Sequence, residues 1–192
     1  MLTEERINTN FINFIGKLKK YGAYPKEMED DSEFNESLRL ASAFINEDSG
    51  GAYKGSLVEH ITRIATIAYH LNSLLIEEVR VPLESLIKVC YLHQIAKCIM
   101  IVENKTEWEI KKGKLFTYVK DLPAMKCSEF SIYLCNKYGI KLTEDECEAI
   151  LSTDKDDDQT KFFSGILASI LKSSINLAVD EKKTKYRNSL KG

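Results

Sequence analysis

The chain is short of several things, and each shortage removes a class of function. None of its 192 residues fall in a run approaching the ~18 consecutive apolar residues needed to cross a bilayer. Its opening, MLTEERINTN, is polar and acidic, with neither the basic nor the apolar segment of a secretory leader. Charge of one sign is not in excess: 27 Lys+Arg against 29 Asp+Glu give a formal net charge of -2. Bulk electrostatics therefore makes no case for wrapping nucleic acid or coating a membrane. No two cysteines are spaced as CxxC, and Cys90, Cys98, Cys127, Cys135 and Cys147 are an odd number. Neither a disulfide framework nor a zinc ribbon is expected; the thiols read as small buried hydrophobes, and the cytoplasm is the expected location. Internal repeats and low-complexity tracts are also missing.

What is present is helical periodicity. Ile7, Phe11, Phe14, Ile15 and Leu18 recur at three- and four-residue steps and predict an amphipathic helix over the first ~20 residues. Gly22, Pro25 and an acidic cluster break the pattern before a second helix, expected over 33–45. NEDSGGAYKG is the clearest loop. Leu57, His60, Ile61, Ile64, Ile67, Ala68, Leu71 and Leu75 then form a long stripe, and Pro82 suits the first turn of the next helix. That helix is expected to carry Leu86, Cys90, His93 and Lys97 on one face. EWEI and LFTYV flank KKGK and read as a hairpin, with Trp108 as its packing anchor. Further helices are expected over 126–138, after Thr143 with Glu146 as its capping-box partner, and over 162–179. The expected organisation is an N-terminal helical segment (1–48) packed on a main all-α domain (49–180), followed by a polar, fraying tail (181–192).

Three histidines are candidates for chemistry. His60 and His93 lie on apolar stripes of consecutive helices, where a lone histidine is more often a satisfied core residue than a ligand. His70 sits about 80° round the helix from His60 and reads as a surface residue. Taken together, GAYKGSLVEH, LHQIAK some thirty residues later, the W…GK…Y…LP stretch and LTEDECEAI resemble the HD-domain metal-dependent phosphohydrolase superfamily, especially its small prokaryotic and phage-type members. The resemblance covers roughly residues 50–180 and implies an all-α, HD-like bundle with a small β-hairpin insertion.

The resemblance also implies a metal site held by a histidine, a His-Asp doublet and a distant aspartate, whose metal activates a water for attack on phosphorus. Carried across, His60 matches the first ligand and His93 the doublet histidine, but Gln94 stands at the doublet aspartate. Lys126 or Cys127, and Thr153, stand where relatives carry further histidines. The distant aspartate falls near Asn176. An amide oxygen is a weak ligand and a useless general base, so His60, His93, Gln94 and Asn176 are expected to form a neutral, metal-free hydrogen-bond network. Lys97 and Arg63 could keep an anion site, with Tyr53 and Lys54 at its entrance. Asp154, Asp156 and Asp158 have the order that opens a calcium loop, but Gln159 and Gly165 occupy its glycine and glutamate positions. The expectation is a catalytically degenerate binding or regulatory module, without a cofactor, for a nucleotide, another phosphate-containing ligand or a protein partner. The alternative is a phosphohydrolase holding a divalent metal such as Mn, Mg or Ni on His60 and His93, helped by Asp154 or Asp156. Nucleic-acid and membrane partners are not expected.

Overall fold

A computed structural model of the chain describes residues 2–154 and 165–191. It is helical apart from one small antiparallel sheet. Helix α1 (Glu4–Lys20) begins where the Thr3 hydroxyl accepts the Arg6 N–H, and places Glu4 and Glu5 in its first turn and Lys17, Lys19 and Lys20 in its last. Both charge sets complement the helix dipole. Its buried face carries Ile7, Phe14 and Leu18, of which Phe14 and Leu18 join the same hydrophobic core as Leu38 and Ile61. A short turn, α2 (Lys26–Glu29), leads to α3 (Ser32–Leu40), capped by the Asp31 carboxylate on the Phe34 N–H.

Helix α3 stops before the expected boundary at Ile45, because Ala41 turns extended at φ -56, ψ 143. The following segment runs past the sheet, where the Ile45 carbonyl accepts the Leu115 and Phe116 N–H groups. This early exit carries Ala43 and Phe44 towards the histidines. Helix α4 (Ser56–Ser73) starts after Gly55, whose φ of 76 suits glycine and whose missing Cβ would otherwise lie 2.8 Å from Ile7.

Pro82 precedes α5 (Leu83–Leu92) as expected. That helix does not continue to Lys97: after Leu92 the chain winds through tight i→i+3 turns, Ile95 N–H to Leu92 and Lys97 N–H to Gln94, before α6 (Lys97–Met100). The sheet pairs β1 (Ile101–Glu103) with β2 (Phe116–Tyr118), Val102 opposite Thr117. A hairpin is present, but EWEI is not a strand of it; it forms α7 (Glu107–Lys111) between the strands. The Asn104 side chain accepts the Thr106 N–H at 3.0 Å and turns the chain into that helix. Trp108 is 60% exposed with the Lys112 ammonium over its ring, so it does not anchor the packing.

Helices α8 (Cys127–Lys137) and α9 (Glu144–Ser152) follow, and the Thr143–Glu146 capping box forms in both directions. Helix α10 (Ile166–Ser189) is longer than expected, because residues assigned to a fraying tail continue it. Helices α5 and α10 pack on α4, and α10 also packs on α9 and on the Glu47–Ser49 turn. No helix among the described residues is long and apolar enough to cross a membrane.

Candidate functional site

His60 and His93 come together in the core. Each is almost fully buried, and each lies within electrostatic reach of Lys97. Burial, then the like charges of Lys97, Lys182 and His93, pushes the His60 pKa down to about 2. Burial lowers His93 to about 4. Both rings are therefore neutral across the physiological range. His93 Nδ1 lies 2.8 Å from the Cys90 carbonyl, which can only accept, so Nδ1 carries the hydrogen. Nε2 is left with a bare lone pair and no hydrogen-bond partner among the described residues. His60 Nδ1 and Gln94 Oε1 are likewise buried without a partner.

Among the described residues, the expected neutral network is therefore not closed. Asn176 in particular lies on the exposed side of α10; the buried face there carries Ser174 and Ala178 instead, and the Ser174 hydroxyl bonds its own helix at the Ile170 carbonyl. Thr153, at the end of α9, likewise turns its hydroxyl onto the Ile150 carbonyl.

Lys97 is the charge at the centre. It keeps part of its surface outside, yet protein crowds its ammonium closely enough to lower its pKa, against the opposing pull of Cys127 and Asp154. Its Nζ donates to the Ala43 carbonyl at 3.0 Å and stands 5.5 Å from the centre of the Phe44 ring. The His60 imidazole lies 4.9 Å from the same ring, tilted against it. Gly51 makes room for this stack, since a Cβ there would fall 2.4 Å from Phe44 Cδ2. Phe44 and Ala43 gave no signal in the sequence, because their role depends on where α3 ends.

Asp154 supplies a carboxylate near this cluster. It accepts the Ser128 N–H at 2.6 Å at the start of α8 and acts electrostatically on His93, Lys97 and Cys127. Asp156 and Asp158 lie outside the described residues. Cys127 is half-buried and its thiol is pushed up to about 11, chiefly by desolvation. Among the described residues no three His, Cys, Asp or Glu side chains converge as a metal site.

The residues named as companions of Lys97 have other partners. Arg63 forms a two-pronged pair with Glu181, its Nε 2.7 Å from Oε2, and Lys54 pairs with Glu103. Tyr53 does lie beside the site, in a triad with Glu59 and Lys182. Its hydroxyl donates to Glu59 at 3.0 Å and accepts from Lys182 Nζ at 3.2 Å, and Lys182 stands 3.6 Å from Glu59. The role of Lys182 was concealed by its place in a polar tail. The signal that could have found it is the four-residue step Ser174, Ala178, Lys182, one stripe along α10.

Comparison with protein-family models, with curated proteins and with solved structures gave no significant match for this chain.

Proposed function

We propose that this chain is a degenerate HD-type helical bundle that works as a metal-free binding module for a phosphate-bearing ligand. The observation that supports the reading is the charge around the paired histidines. The ammonium of Lys97 lies within electrostatic reach of both rings, Lys182 acts on His60, and Gln94 replaces the carboxylate that the resemblance implies. Lys182 is paired with Glu59, but Lys97 has no salt-bridge partner among the described residues, so a divalent cation would enter against its ammonium with Asp154 as the described carboxylate acting on it, whereas an anion meets it favourably.

The second reading, a metal-dependent phosphohydrolase on His60, His93 and Asp154, draws on the bare Nε2 of His93 and the electrostatic contact of Asp154 with that ring. A Nδ1–H bonded to a carbonyl is the usual support of a ligating imidazole. The two are separated by dialysing the protein against Mn, Mg or Ni, measuring bound metal, and assaying nucleotide and phosphomonoester hydrolysis beside thermal stabilisation by pyrophosphate. The proposal expects no stoichiometric metal, no turnover, and a rise in Tm with pyrophosphate in the presence of EDTA. Stoichiometric metal together with hydrolysis lost in His93→Ala would establish the second reading instead.

A further inference from the structure

Helices α1 and α10 both pack on α4 and leave a furrow of about 610 Å³ between them, within the usual size range of small-ligand sites. Each helix faces it with a stripe at helical spacing: Arg6 and Lys17 from α1, Glu59 and Arg63 from α4, Lys182 and Lys185 from α10. Five cations, with Arg6, Lys17, Arg63, Lys182 and Lys185 counted, meet two carboxylates, Glu59 and Glu181. Those two are already engaged, Glu181 by Arg63 and Glu59 by Lys182 and Tyr53. Arg6, Lys17 and Lys185 form no salt bridge among the described residues. Lys185 does act electrostatically on Glu181, so what the furrow keeps is an excess of positive groups, five against two, in a protein whose net charge is -2. Its walls are also aromatic. Tyr186 is half-buried beside Gly50, which approaches so closely that a Cβ there would lie 2.9 Å from Tyr186 Cβ.

From this furrow we infer a binding site for a nucleoside polyphosphate, with the phosphates between Arg6, Lys17 and Lys185 and the base against Tyr186. The pairing of excess cations with an aromatic wall selects a ligand that carries both anionic charge and a flat ring. The inference deepens the proposed function and rests on it for the phosphate-bearing class of ligand, but it places that ligand on the outer side of α4 rather than beside His93.

Isothermal titration with ATP, tripolyphosphate and adenosine, all in EDTA, tests it. ATP is expected to bind, adenosine to bind at least tenfold more weakly, and raised salt to weaken ATP as screening requires. The Arg6→Glu/Lys185→Glu variant changes exposed residues and is expected to lose at least tenfold in ATP affinity with an unchanged circular dichroism spectrum. Tyr186→Ala is expected to weaken ATP but not tripolyphosphate. Lys141→Met, an exposed position outside both the furrow and the histidine cluster, is expected to bind ATP as the parent does. No ATP binding, or binding indifferent to the Arg6/Lys185 reversal, would overturn the furrow. If that reversal is silent while Lys97→Met abolishes binding, the ligand belongs at the histidines, and the proposed function survives without this site.

Discussion

The side chains at the histidine cluster are set by desolvation more than by hydrogen bonding. His60 and His93 are held neutral by burial, and Lys97, where charged, reinforces it. The consequence for stability has a definite sign. An unfolded histidine titrates near 6.5, and both folded values lie below that, at about 2 and about 4. Below about pH 6.5 the unfolded chain takes up protons that the folded chain refuses, so stability is present above that pH and lost as pH falls. Between pH 7 and pH 5 the loss is expected to be about 2 kcal/mol per histidine, continuing down to about pH 4 for His93. Urea unfolding at pH 7 and pH 5 measures it. His93→Gln is expected to flatten the dependence by roughly half, whereas an unchanged slope would show that His93 is not held neutral.

At the scale of elements, the segment between α3 and α4 decides the site. Its course brings the Ala43 carbonyl to Lys97 and sets the Phe44 ring against both Lys97 and His60. Gly51 is the point where this arrangement has no slack. Gly51→Ala would force the Phe44 ring to move, and is expected to cost about 1–3 kcal/mol in chemical denaturation, the range of core overpacking. A neutral result would mean that Phe44 has room to relax.

The same contrast explains what could be read from the sequence. The α1 stripe, Pro82 before α5 and the Thr143–Glu146 box were legible, because each is a local pattern of spacing or capping. The end of α3 was not, because Ile45 and Asn46 are drawn away by hydrogen bonds to residues near 114–116, far along the chain. EWEI alternates like a strand, yet an Asn104 turn starts a helix there. On α10 the small residues Ser174 and Ala178 are buried while Asn176 is exposed, and small side chains leave too weak an apolar signal to fix which face points inward. Of the cluster itself, His60, His93 and Lys97 were singled out by their motifs. Phe44 and Lys182 required the tertiary structure.

At the scale of the molecule, α10 ties the C-terminal residues to the middle of the chain. Glu181 pairs with Arg63, Lys182 joins Tyr53 and Glu59, and Gly50 lies against the backbone of Lys182. A chain ending at Asp180 would lose all three contacts. It is expected to melt about 5–10 °C lower, equivalent to roughly 2–3 kcal/mol for a protein of this size. Calorimetry on the shortened chain checks this, and an unchanged Tm would reduce the segment to an appendage.

Trp108 is the single tryptophan, and its place on α7, open to water with Lys112 across its ring, has a spectroscopic consequence. Its emission is expected to be that of a solvated indole already in the native protein and to change little when the core opens. Quenching of that emission reports locally on the excursion between β1 and β2, a built-in lamp at one corner. The tyrosines, among them Tyr91 packed on Phe14, are the chromophores whose near-ultraviolet dichroism follows the core.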